Sequence, residues 1–260
     1  MILISGGICA QAAPDTLITF LYVGEPAPSG IRPIAKQGFS GNDITRECSY
    51  FELLQKAKTT AQALGANVVK IDSRKERNQK QYCDEINASF YKVPDVQPFE
   101  KHISWTKDRK LVWDDFKGPV PGNAPPRNAA VTSAGIAIET NTITNTSTPK
   151  VYITNSFETG TSWVRPDHKT DAILKHEQTH FDICELYTRR MRERFSKLTI
   201  TFSNLQQVLR SNYQSVMQDQ LDRQQRYEEE TQHGIIDEAQ DRWTKMINEE
   251  LSKTEAWMSR

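Results

Sequence analysis

Two histidines four residues apart, His176 and His180, with Glu177 beside the first, constrain this chain more than any other feature. On an α-helix that spacing projects both imidazoles from one face, where they can share a metal ion. Zinc accepts imidazole nitrogen and keeps an open position for water at catalytic sites. Glu177 then stands beside that water as a general base. The stretch must therefore be helical, with these residues facing inward. With Ile173 set as the reference, Cys184, Tyr187, Met191, Phe195 and Leu198 fall within roughly 40° of it at 100° per residue. His180 lies inside this stripe, and His176 and Glu177 flank it. Lys175, Gln178, Asp182, Glu185 and Arg189 point elsewhere, so Asp182 and Glu185 are not expected to be ligands but to pair with the arginines at 189–194.

Zinc needs a further protein ligand. Three histidines remain: His102, His168 and His233. His102 begins a strand pattern, and His168 is tethered closely to the motif. His233 precedes Gly234 at a helix break, which makes it the first choice. Tyr227-Glu228-Glu229-Glu230-Thr231 precedes it, and Glu230 is the alternative ligand or the carboxylate that holds the imidazole. Tyr227 is either an oxyanion stabiliser or a phenol packed against the helix.

The 260 residues suffice for one large or two smaller domains. With 33 basic and 33 acidic residues the formal net charge is zero, which argues against non-specific nucleic-acid binding. No later segment approaches the ~18 apolar residues of a membrane span. Residues 1–12 read as the remnant of a secretory signal, with Ala10-Gln11-Ala12 as a small-x-small cleavage pattern; the other reading is a buried first strand. No positive residues precede the short apolar run, so the leader is expected to be incomplete. Cys48 and Cys83 can pair in an oxidising compartment, and Cys184 is expected to be a free buried thiol.

Residues 15–95 read as a small α/β accessory unit. It has a strand at 17–23, a helix at 50–64 ending before Gly65, strands at 67–71 and 88–93, and a charged loop at 74–81. Beyond a boundary at 94–98, Ile103-Ser104-Trp105 and Leu111-Val112-Trp113 suit a hairpin. Strands follow at 132–139, 150–157 and 162–164, and Thr170 or Asp171 can cap the motif helix. A strand before such a helix can offer its edge to an extended peptide. The Gln-rich last third is expected to form long exposed helices, at about 205–229 and 237–252 with Trp243, Ile247 and Leu251 inward.

The segments "LVWDDFKGPVP", "AVTSAGIAI", "ILKHEQTHFDICELYTRRMRERF" and "YEEETQHG…AQDRW" resemble a bacterial family described as predicted secreted zinc-dependent proteases. The resemblance covers about residues 103–250. It implies a zincin-like peptidase module exported from a bacterium.

The expectation is thus an α+β protein: an accessory α/β domain at 15–95, then a zincin-like domain at 99–260 with a short antiparallel sheet and long helices. It binds Zn2+ through His176, His180 and His233, uses Glu177 as base on a peptide or protein substrate, and is secreted or periplasmic. A protein partner of the first domain stays open. The rival readings are a zinc-binding module without catalysis, and an envelope interaction protein whose metal-site residues are a relic.

Overall fold

The computed structural model describes residues 18–41, 47–77, 83–142 and 148–258. The strand and signal readings for residues 1–17 lie outside these. The fold is α+β.

Two assemblies pack side by side. The first is a four-stranded sheet in the order β1-β3-β4-β2, from β1 (Thr19–Leu21), β2 (Ala35–Ser40), β3 (Val68–Lys75) and β4 (Glu85–Tyr91). Helix α1 (Tyr50–Leu64) lies on it and buries Leu53, Leu54, Ala57 and Ala61 against Val69, Ile71, Ile86 and Phe90. Ser49 and Glu52 form a reciprocal capping box at its start, and Gly65 closes it at φ 67°. The disulfide between Cys48 and Cys83 forms, closing a loop over 35 positions, which stabilises by about 3–4 kcal/mol in the chain-entropy model.

Two expectations fail here. The charged stretch at 74–81 is not all loop, because β3 runs on to Lys75 against Glu85. β2 was not anticipated: its sequence Ala-Lys-Gln-Gly-Phe-Ser carries no β-branched residue, and pairing with β4 holds it as an edge strand.

The second assembly is built around α2 (Asp171–Ser196). A three-stranded antiparallel sheet, in the order β5-β8-β7, covers one side. It comprises β5 (His102–Ile103), β7 (Ala134–Asn141) and β8 (Lys150–Glu158). A short ladder joins β6 (Ala130–Val131) to β9 (Trp163–Val164). Helices α3 (Leu205–Thr231) and α4 (Asp237–Lys253) pack on another side, with Trp243, Ile247 and Leu251 buried as expected.

The hairpin expected across 103–113 does not form. Ile103 pairs with β8, and residues 113–115 turn as a 3-10 helix. The buried Asp115 carboxylate holds this turn, accepting from Val112 N at 2.8 Å and from Arg109 at 2.7 Å.

Glu52 joins the two assemblies. Its carboxylate accepts from Ser49 N (2.9 Å), Asn141 Nδ2 (2.9 Å), Lys150 Nζ (3.3 Å) and the Tyr152 hydroxyl, while Phe51 stacks on Tyr152. Burial pushes the Glu52 carboxyl up, but the Tyr152 and Ser49 hydrogen bonds and the Lys150 charge bring it below its ordinary value. A depressed folded pKa stabilises fully above the unfolded value of about 4.3 and is lost as pH falls through the folded value. Replacing Glu52 with Gln should therefore flatten the acid limb of the stability profile. Glu52→Ala should cost on the order of 2–3 kcal/mol by denaturant titration at neutral pH.

Candidate metal centre

Helix α2 starts at Thr170, whose hydroxyl accepts from Ile173 N at 3.3 Å. It is buried on nearly every side, and this corrects the projection of Asp182 and Glu185 away from the core: both are buried. Asp182 accepts from Trp105 Nε1 at 2.6 Å and from Gln178 Nε2 at 2.8 Å. Glu185 pairs with Arg189 at 2.7 Å and Arg192 at 3.3 Å, as expected in partner but inside the protein. Burial raises both carboxyls above their ordinary values. Cys184 is a free buried thiol, pushed up to about 12 by burial.

One turn into this helix, His176 and His180 turn their Nε2 atoms toward each other at 3.1 Å. The third group is Glu228 of α3. Its Oε1 lies 3.0 Å from His180 Nε2, and its Oε2 lies 3.4 Å from His176 Nε2. Among the described residues, His176, His180 and Glu228 form the cluster able to hold a metal ion. Atoms bonded to one zinc at 2.0–2.1 Å in tetrahedral directions stand about 3.3 Å apart. The two imidazoles are that close to each other, and each is that close to a different oxygen of Glu228, so one ion is within reach of all three side chains.

His233 is outside this cluster. Its Nδ1 meets Glu228 Oε2 at 2.7 Å, so it holds the carboxylate, where the sequence reading had it as a ligand itself. Glu230 faces the other flank of α3 and accepts from Trp243 Nε1 at 2.8 Å. Tyr227 is fully buried and stacks on His176, and its hydroxyl donates to Gln240 Oε1 (2.7 Å) and the His176 carbonyl (3.2 Å). The packed-phenol alternative therefore describes Tyr227, and burial raises its phenol.

The histidines are held from behind by residues that the sequence reading missed. Gln224 Oε1 meets His180 Nδ1 at 2.6 Å, and Gln240 Oε1 meets His176 Nδ1 at 3.1 Å. Gln240 is buried, which departs from the exposed Gln-rich helices expected there. The available signal was spacing: Gln224 and Glu228 are one helical turn apart and share a face.

Glu177 is buried, and its Oε2 has no hydrogen-bond partner among the described residues. A carboxylate oxygen left so is costly unless a donor or cation meets it. Electrostatics favour positive charge at this point. Burial lowers the basicity of His180, but Glu228 and Glu177 raise its imidazole above the ordinary value. Burial likewise pushes Glu228 up, yet hydrogen bonds from His176 and His180 hold it well below the carboxylate range. Side-chain exposure rises from 7% at His176 through 15% at His180 to 32% at Glu228, so the group opens on the α3 side.

The turn between α3 and α4 closes against His176. Gln232, His233 and Gly234 have φ of 48°, 59° and 81°. A Cβ on Gly234 would sit 3.0 Å from His176 Cγ.

Residues 129–234 match the model of a family described as a bacterial protein of unknown function (DUF922). The matched stretch includes His176, Glu177, His180, Glu228 and His233. No curated protein and no solved structure matches the chain.

Gly234→Ala should cost about 1–2 kcal/mol from the left-handed backbone alone. Its added methyl should also shift the His176 ring resonances in an NMR spectrum, whereas Gly122→Ala, with open space around it, should not.

Proposed function

We propose that this chain is a zinc-dependent peptidase, with His176, His180 and Glu228 as ligands and Glu177 as general base. The observation that carries this reading is the convergence of two imidazole Nε2 atoms and a carboxylate within reach of one ion, beside a Glu177 Oε2 with no partner among the described residues. Two histidines and a glutamate are one of the donor sets that catalytic zinc uses. Zinc, when bound, polarises a scissile carbonyl and lowers the pKa of water. Glu177 takes the proton of the attacking water and returns it to the leaving amine. Its burial excludes competing solvent, and its helix holds it one residue from His176.

The edge strand β7 supports a peptide as substrate. It follows Thr132, whose hydroxyl donates to the Glu177 carbonyl at 3.1 Å. An extended chain lying along that edge by main-chain hydrogen bonds reaches the Glu177 end of α2. The Cys48–Cys83 disulfide supports an exported protein, since such bonds persist in oxidising compartments. No helix among the described residues is long and apolar enough to cross a membrane.

The test is zinc content by elemental analysis, followed by hydrolysis of a mixed peptide library. Wild type should carry near one zinc per chain, His176→Ala and Glu228→Ala should lose it, and Glu230→Ala should keep it. Glu177→Gln should keep zinc and lose activity by about 10²–10⁴-fold. Full zinc with no hydrolysis would favour the non-catalytic binding module, and no zinc uptake would favour the interaction protein.

A further inference from the structure

We infer that Gln224 and Gln240 are positioning residues that fix both imidazoles with Nδ1 protonated and Nε2 turned to the metal. This rests on the zinc reading above. It follows from what each glutamine amide can and cannot exchange with its neighbours.

Gln224 Nε2 donates to the backbone carbonyl of His180 at 3.0 Å. A carbonyl only accepts, so the amide nitrogen must lie on that side, and Oε1 must face His180 Nδ1 at 2.6 Å. An amide oxygen has no proton to give, and the ring nitrogen therefore carries one. Gln240 is fixed by a longer chain. The Thr179 hydroxyl donates to the Lys175 carbonyl at 2.9 Å, so toward Gln240 it accepts, taking Nε2–H at 3.3 Å. Thr244 Oγ1 lies 3.2 Å from the same nitrogen. That leaves Gln240 Oε1 toward Tyr227 Oη (2.7 Å) and His176 Nδ1 (3.1 Å), and this ring nitrogen too must be the donor.

With Nδ1 of each ring protonated toward its glutamine, the atoms turned to Glu228 are the two Nε2 atoms, 3.1 Å apart, and any proton they share with that carboxylate is the one a metal ion displaces. The two glutamines thus select the metal-ready tautomer and hold both rings in place. They come from different helices: Gln224 stands one turn before Glu228 on α3, and Gln240 stands on α4. The partner of a ligating histidine is often a carboxylate, which raises ligand basicity. A neutral amide fixes the same tautomer without adding negative charge beside Glu177 and Glu228.

The experiment is zinc affinity, by competition with a chromogenic chelator, for full-length wild type and variants, alongside the melting temperature of each metal-free protein. Gln224→Leu and Gln240→Leu should bind zinc about 10–100-fold more weakly. Gln224→Glu and Gln240→Glu should recover wild-type affinity or exceed it, because a carboxylate accepts the same Nδ1–H. Gln240→Asn, which withdraws the amide oxygen without an apolar change in the core, should weaken binding as Leu does.

A packing role gives the reverse order. Leu, which fills the space, would keep affinity, and Glu, which buries a charge, would lose it; that order overturns the inference. Leu variants within about twofold of wild type overturn it as well. A wild type that takes up no zinc removes both this inference and the zinc reading. Zinc uptake without peptide hydrolysis removes only the peptidase, since the affinity order reads the site without catalysis.

Discussion

Helix α2 is buried on nearly every side although its sequence is highly charged, and the second assembly is arranged to answer that. Most inward polar groups meet a specific partner, on α2 itself or on a neighbouring segment. Asp182 takes the Trp105 indole, Glu185 takes Arg189 and Arg192, and Arg189 donates onward to the Leu251 carbonyl at the end of α4. Arg192 donates to the Ile153 carbonyl of β8. Breaking one partner of such a buried pair leaves the other uncompensated, which costs far more than the pair contributes. The arrangement of strands and helices around α2 is therefore specific rather than merely apolar.

The same rule operates at the candidate metal centre, with one difference. There two imidazole nitrogens and the Glu228 carboxylate are held at 3.0–3.4 Å from one another, and Glu177 Oε2 meets no donor among the described residues. Glutamines behind the rings, His233 behind Glu228 and Gly234 against His176 keep them converged. The raised His180 and depressed Glu228 express the same field, which favours a positive charge at their meeting point.

The N-terminal assembly is coupled to this core at a distance from it. Glu52 serves as a capping residue of α1 and as acceptor for β7 and β8 side chains, so one carboxylate links helix initiation to docking. Lys101 and Glu25 tie the joint again at 2.7 Å. Because β7 also runs from the Glu177 end of α2 toward Asn141, the joint and the candidate centre share a strand.

Periodicity and spacing made α1, α2, α3 and α4 legible, because each carries apolar residues at helical intervals and a capping or breaking residue near its ends. They also put His176, Glu177 and His180 on an inward face. β2 and the 113–115 turn were not legible: the first lacks strand-forming residues, and the second depends on Asp115 being reached by Arg109. The third member of the cluster shows the limit most clearly. Glu228 and Glu230 flank the inward Tyr227 at roughly +100° and −60° around α3, and nothing local distinguishes them. The sequence by itself determined a helix that presents two imidazoles and a carboxylate inward. Only the tertiary structure decided which glutamate meets them, because α2 packs against one flank of α3 and Trp243 of α4 occupies the other.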